Sequence, residues 1–400
     1  VKQFLRTLCR MNHAATFAIA ALSAAGVMFI YSVGSSADGL ASSVQGASSV
    51  QEKYRVQAFT ALAGFALYFA LAHFDYRKIL AFAAAPFWAV STLLLGATLA
   101  FGTELNSARR WLWGFQPSEL AKLAVVIALA ALYGRFKIGR GFKAALPGFA
   151  AIAVPAVLVN MEPDLGTVLV TVVTGVVMML LARVWTKGLS VLVLAAVAAG
   201  AFELCTVARA EREPDPARKE EILKWTGLRP HQVRRLRVFM YPDTDILGAG
   251  YHLRQAEISV GSGGMWGRGW LNGRQTQLGY MQPSKSISDF IFAALAEEAG
   301  FAGSLAALAL YAMLAASCMA TALKTEDDGG RLIAAGVSTL LFCHVYENVA
   351  MNIGLMPITG LPLPFISYGR TSLVAFMAAM GLVQSVAVRS GPGAETERNG

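Results

Sequence analysis

Ten apolar runs follow one another along this chain of 400 residues, each close to the ~20 residues that carry a helix across a lipid bilayer. They lie at 12–33, 55–73, 79–101, 118–134, 145–161, 165–182, 187–207, 289–323, 331–354 and 370–388. In hydrocarbon every backbone N–H and C=O must find a partner within its own segment, so runs of this kind are helices. The eighth is too long for one straight crossing and reads as a span with an added interfacial piece, or as a tilted helix. Composition agrees: 15% of residues are charged, against about a quarter in a soluble domain. The expected fold is all-α, a polytopic membrane protein. It is read as one membrane domain over 1–389, with a large extracytoplasmic loop at about 208–288 before the eighth span. A polar, disordered tail follows at 390–400.

The net charge of +9 is distributed by topology and does not form a nucleic-acid surface. With a cytoplasmic N-terminus, the inner loops hold Lys2, Arg6, Arg10, Arg77, Lys78, Arg135, Lys137, Arg140, Lys143, Arg183, Lys187, Lys324, Arg331 and Arg389. The short outer loops hold mainly Lys53, Arg55, Arg109 and Arg110. Both termini are then cytoplasmic and the long loop faces outward. The basic start and apolar run to Ile30 resemble a signal peptide, but length and context make it a first span. Cys9, Cys205, Cys318 and Cys343 are scattered and the five histidines form no ligand cluster, so neither a disulfide framework nor a zinc site is indicated.

Polar groups that a membrane should not tolerate gather at the outer ends of the spans. Asp289 sits where a polar approach gives way to an apolar helix, and two readings stand: a helix cap, or a carboxylate facing a cavity or substrate. Arg109 and Arg110 precede Trp111 and Trp113, as interfacial anchors or as guanidinium groups for a phosphate. Glu119 and Lys122 share a helix face just inside the fourth span, as a structural lock or, the favoured reading, as the lining of a polar cavity. Asp164, in the turn Glu162-Pro163-Asp164, reads first as an N-cap for the sixth span. Pro357, Pro362, Pro364 and Gly360 break the helix pattern after Asn348, which predicts a re-entrant loop beside a site.

In the long loop, 208–237 reads as a solvated surface helix. The segment after Val238 is rich in glycine and amides, and Gly261, Gly263, Gly264, Gly267 and Gly269 allow tight turns and close backbone approach. Tyr251 to Val260 is expected as an amphipathic helix on the membrane surface.

At these residues the chain resembles the SEDS family, the shape, elongation, division and sporulation proteins that include RodA and FtsW. The resemblance rests on QPSELAK at 116–122, EPDLGT at 162–167, LGAGYHLRQAEISVGSGGMWGRGW at 247–270, QTQLG at 275–279, DFIFAALAEEAGF at 289–301 and GLMPITGLPLPFISYG at 354–369. The wording GWLNGRQTQLG is closer to the elongation branch, RodA. Two stretches depart from the family: Pro283 to Ser288 lacks the usual glutamate and histidine and carries Lys285, and Arg370 follows Ser367-Tyr-Gly where the family has a second glycine.

The resemblance implies a peptidoglycan glycosyltransferase that polymerises lipid II into β-1,4 glycan strands at the outer face of the cytoplasmic membrane. It would work with a class B penicillin-binding protein and elongation-machinery membrane proteins, and without nucleic acid. The family's catalytic aspartate maps onto Asp289, its glutamate and lysine onto Glu119 and Lys122, and its arginine and second aspartate onto Arg110 and Asp164. On this reading Asp289 is the general base of an inverting displacement. Arg110 and Lys122, with Lys285 and Arg370 as further candidates, face the departing pyrophosphate, and Glu119 orients Lys122. No cofactor is required; a divalent cation (Mg²⁺ or Mn²⁺) on the pyrophosphate fits the chemistry, although no ligand cluster demands it. A flippase for the lipid-linked precursor, and a non-catalytic scaffold that activates the penicillin-binding protein, stay open as rivals.

Overall fold

The computed structural model describes residues 7–38, 52–105, 108–226, 230–241 and 249–390. The expected tail beyond Ser390 lies outside them, as does the stretch 242–248 of the long loop. Among the described residues nine helices are long and apolar enough to cross a membrane, and Leu165–Leu181 is a shorter tenth. In chain order the first seven are α1 (His13–Asp38), α2 (Lys53–His73), α3 (Tyr76–Phe101), α4 (Pro117–Arg135), α5 (Phe142–Met161), α6 (Leu165–Leu181) and α7 (Thr186–Arg212). The loop contributes α8 (Pro216–Lys224), α9 (Pro230–Met240) and α10 (Ala249–Ser262); the last three spans are α11 (Ile291–Lys324), α12 (Asp328–Asn352) and α13 (Arg370–Arg389). All ten expected runs are helical. One small hairpin, β1 (Thr103–Leu105) with β2 (Ala108–Trp111), joins α3 to α4.

The bundle is built around α4, with 89% of its apolar window buried, and around α12 and α13. Between Leu123 and Ala131 the sequence of α4 is apolar all round because it has no lipid or water to face. At the other extreme, α7 has only 6% of its window buried and stands at the outside of the bundle.

The overlong eighth run is two helices. Gly300 breaks α11 with φ 69° and ψ −166°, which only glycine adopts without a steric cost. The piece before the break is buried in the protein from Ile291 to Glu298.

The loop differs from expectation in two places. The charged stretch 208–237 is divided into the end of α7, α8 and α9, with Asp215 capping α8 by accepting from the Ala217 N–H at 3.1 Å. Residues 251–260 are helical as expected, within α10, but they do not offer an apolar face to lipid. Leu253, Ala256 and Ser259 are buried, and Ala256 clusters with Met281, Phe290, Ala293 and Met351. The apolar stripe of α10 has found a protein partner instead.

Candidate active site

Asp289 lies in a turn between a single helical turn at Pro283–Ser286 and the start of α11. Ile287 and Phe290 are buried on either side, which leaves Ser288 and Asp289 half-buried at the surface of the fold. Neither residue caps α11. The Ser288 hydroxyl turns back to the carbonyls of Ser284 (3.1 Å) and Lys285 (3.4 Å). The cap position is Phe290, with no side-chain cap, and the N–H of Ala293 donates to Asn352 Oδ1 at 3.2 Å. The carboxyl of Asp289 is thereby left out of the helix terminus.

The backbone of Asp289 is held from behind. Its carbonyl accepts from Asn348 Nδ2 at 2.9 Å and from Asn352 Nδ2 at 3.1 Å. Asn348 Nδ2 also donates to the Leu361 carbonyl at 2.8 Å, so one amide ties the turn to the re-entrant loop. Ser367 tightens the same seam: its hydroxyl donates to the Ser288 carbonyl (2.6 Å) and accepts from the Leu363 N–H (2.8 Å). The N–H of Tyr368 donates to the Ile287 carbonyl at 2.8 Å. The proline-broken stretch after Asn352 is thus irregular backbone buried in protein beside the site, as the sequence predicts.

The Asp289 carboxyl faces the loop at Gly360: a Cβ placed there would sit 3.7 Å from Oδ2. Burial pushes the carboxyl above its ordinary value, while the Ser288 hydroxyl and the charges of Lys285 and Arg110 pull the other way. His252 of α10 lies over Phe290, with ring centroids 6.3 Å apart. Burial and Lys285 push this imidazole below its ordinary value.

Arg110 is laid over the Glu162-Pro163-Asp164 turn. It donates to the carbonyls of Glu162 (Nε, 3.1 Å) and Pro163, and its Nη1 is 3.9 Å from Asp164 Oδ2. Asp164 caps α6 as expected, accepting from the Thr167 N–H at 3.3 Å and the Thr167 hydroxyl at 3.0 Å. Neither Glu162 oxygen has a hydrogen-bond partner among the described residues. Burial and the neighbouring Asp164 push the Glu162 carboxyl up to about 8, against the pull of Arg110. Arg235 of α9 is close enough to Arg110 and Asp164 to feel both charges, and burial lowers its own affinity for a proton. Arg370 is exposed at the start of α13 and donates to the Gly114 carbonyl at 3.3 Å.

Glu119 and Lys122 are each 2% exposed, and the ammonium donates to Glu119 Oε1 at 2.8 Å. It also lies 2.7 Å from His344 Nε2, while His344 Nδ1 is 3.4 Å from the Pro362 carbonyl. An ammonium can only donate, so Nε2 accepts and Nδ1 carries the proton toward Pro362. The sequence reading places Lys122 among the leaving-group cations; here its ammonium is enclosed behind the re-entrant loop, joined to it through His344.

The glycine-rich segment is clasped by the acidic pair that follows Asp289. Glu297 Oε1 accepts from the Gln275 N–H (3.1 Å) and lies 3.9 Å from Arg268 Nε. Glu298 accepts from the Ser32 hydroxyl (2.5 Å) and the Leu271 N–H (3.4 Å). A Cβ at Gly267 would fall 2.1 Å from the Glu298 carbonyl, and one at Gly300 would fall 2.2 Å from the Gly267 nitrogen. These are the close approaches that the glycines permit.

Five side chains escape the sequence reading: His344, Asn348 and Asn352 on one face of α12, Arg235, and His252. The first three recur every fourth residue in an apolar helix, a polar stripe at helical spacing that marks a buried seam. Arg235 and His252 sit in loop sequence that carries no comparable periodic signal.

The FtsW/RodA/SpoVE family, described as cell cycle proteins, matches residues 13–391. The chain is 36% identical to the peptidoglycan glycosyltransferase MrdB of Escherichia coli K12 over 307 residues, covering 76% of this chain and 77% of that one. It is 30% identical to the peptidoglycan glycosyltransferase RodA of Treponema pallidum, covering 92% and 95%. Among solved structures, it resembles a chain from "Structural coordination of polymerization and crosslinking by a peptidoglycan synthase complex" at TM-score 0.72 and 27% identity, over 95% of this chain and 98% of that one. It also resembles the rod shape determining protein RodA of Thermus thermophilus, at TM-score 0.63 and 26% identity, over 96% and 98%. The chain belongs to the FtsW/RodA/SpoVE family.

Proposed function

We propose that this multi-pass membrane protein is a peptidoglycan glycosyltransferase of cell elongation that polymerises lipid II, with Asp289 as its general base. One observation carries the assignment of the base. Asp289 holds the start of a buried helix without capping it, its carbonyl is fixed by two amides, and its carboxyl is turned to the loop with cations around it.

In the reaction a C4 hydroxyl attacks the anomeric carbon of a sugar joined to undecaprenyl pyrophosphate. The Asp289 carboxylate takes the hydroxyl proton, the O4–C1 bond forms, and the bond from C1 to the pyrophosphate oxygen breaks. The donor linkage is α and the product β, so one inverting displacement suffices. A carboxylate whose charged form is disfavoured by burial is a stronger base than a solvated one. Lys285, Arg110, Arg235 and Arg370 supply positive charge for the departing pyrophosphate. Glu119 and Lys122 act on the reaction from behind, through His344 and Pro362, by holding the re-entrant loop against Asp289.

A divalent cation belongs to the same proposal. The described residues contain no group of three His, Cys, Asp or Glu side chains placed to hold a metal. Such an ion would be held by the pyrophosphate oxygens with water and one carboxylate, the arrangement Mg²⁺ favours. The distribution of lysine and arginine among the loops supports cytoplasmic termini and an outward-facing Asp289. A class B penicillin-binding protein and other elongation proteins are the proposed partners.

The test is polymerisation of labelled lipid II by the purified protein, alone and with its penicillin-binding partner, beside Asp289→Asn. Polymer from the wild type and none from a folded variant is the expected result. Polymer from both would remove Asp289 from the base role. Lipid II moved across a bilayer but never consumed would replace the enzyme with a flippase.

A further inference from the structure

A second site lies at the opposite end of the bundle from Asp289, where α2 and α4 end and α12 begins. A cavity of about 350 Å³ opens there, lined by Arg77, Lys78, Leu80, Ala81, Phe82, Arg135 and Asp327. It is within the size range of pockets that hold small ligands. Three cations and one carboxylate line it, and the carboxylate is occupied: Asp327 Oδ2 accepts from the Tyr76 hydroxyl at 3.0 Å and from the Gly330 N–H at 2.9 Å.

Three other cations at this end have acidic partners. Lys137 and Arg331 pair with Asp328 at 3.9 and 3.1 Å, and Arg389 pairs with Asp75 at 3.6 Å. Arg77 lies over the Tyr76 ring. Lys78 and Arg135 are exposed and, among the described residues, their side chains have neither a hydrogen bond nor an ion pair. Two unpaired cations at the mouth of one cavity favour an anion.

The backbone around the cavity is irregular in a particular way. The two π-helical turns, Ile79–Ala83 in α3 and Ala130–Arg135 in α4, pack against each other here. The first supplies Leu80, Ala81 and Phe82 to the wall, and the second supplies Arg135. The second turn is also pressed onto the start of α12, because a Cβ at Gly134 would lie 2.3 Å from the Gly329 Cα. A π turn gives up regular hydrogen-bond geometry and recurs at functional sites. The walls are amphipathic: Leu80 is buried at the floor, and Phe82 is 80% exposed at the rim. A free inorganic anion has no use for that apolar rim, whereas an amphiphile does.

We propose that this cavity binds the phosphodiester headgroup of an anionic phospholipid from the leaflet at that end, with Arg77, Lys78 and Arg135 on the phosphate and Phe82 against the start of the acyl chains. Basic pockets between transmembrane helices have this chemistry. The site is separate from Asp289, so its test does not depend on catalysis.

The experiment is native mass spectrometry of the full chain released from bilayers of phosphatidylcholine with a minor share of phosphatidylglycerol. It compares the wild type, Lys78→Gln/Arg135→Gln, and Lys137→Gln/Arg140→Gln as a control with equal charge loss outside the cavity. Circular dichroism checks that all three are folded. The wild type and the control should retain phosphatidylglycerol over phosphatidylcholine, and the cavity variant should lose that preference by about tenfold or more. Equal retention by the cavity variant, or equal loss by the control, would overturn the proposal. So would displacement of the lipid by millimolar inorganic phosphate, since the cavity would then read a free anion and not a headgroup.

Discussion

The side-chain amide of Asn348 reaches the main-chain carbonyl of Asp289 at 2.9 Å and the carbonyl of Leu361 at 2.8 Å, joining the turn that carries the carboxylate to the loop that faces it. Asn348 is fully buried. Its removal leaves the Leu361 carbonyl without this donor and the Asp289 carbonyl with Asn352 alone, and Asn348→Ala is expected to lower stability by about 1–3 kcal/mol. Loss of position should lower the polymerisation rate by up to about a hundredfold even in protein that stays folded. Melting in detergent beside a lipid II assay separates the two effects; a variant that melts lower and polymerises normally would refute the positioning role.

The base has a pH signature. Burial raises the Asp289 carboxyl above its ordinary value, so the acid limb of kcat/KM should fall at higher pH than an ordinary aspartate would give. Activity is lost as pH drops through that value, because the protonated acid cannot accept the hydroxyl proton. Lys285→Gln removes a charge that favours the ionised form and should shift the limb to higher pH. A limb unmoved by Lys285→Gln would argue that another group is titrating.

The buried ion pair is separable from the chemistry. Lys122→Met leaves Glu119 as an unpaired buried charge and is expected to cost about 3–5 kcal/mol. Glu119→Gln/Lys122→Met removes both charges and should recover most of that stability. If the pair acts through His344 and Pro362, the double variant regains part of its polymerisation with a lowered kcat and little change in KM. A stable double variant with no activity would instead place Lys122 on the substrate.

Glu162 makes stability depend on pH. Its carboxyl is held at about 8, well above the 4.5 of a free glutamate. The folded state then keeps a proton that the unfolded chain loses, so this contribution is complete below about 4.5 and is lost as pH rises through about 8. Glu162→Gln cannot ionise and should flatten the fall in stability over that window, by roughly 2–4 kcal/mol at its upper end. Thermal unfolding of both proteins at several pH values checks this; parallel profiles would show that Glu162 is ionised in the fold.

The spans, the excess length of the eighth run and the cluster of charges at one end are legible in the sequence because their causes are local. A helix in hydrocarbon satisfies its own backbone, so twenty apolar residues announce it wherever they occur. Prolines announce the irregular stretch after Asn352 in the same way. Asp164 is legible as a cap because its partner, Thr167, is three residues away. Tertiary structure alone decides the rest. The donors to the Asp289 carbonyl come from 59 and 63 residues further along the chain, and His344, the second partner of Lys122, from 222 residues away. The cap that Asp289 does not form is supplied by Asn352. Whether a polar side chain caps, locks or reacts depends on which distant groups reach it once the helices have packed, and helical periodicity carries no information about those distances.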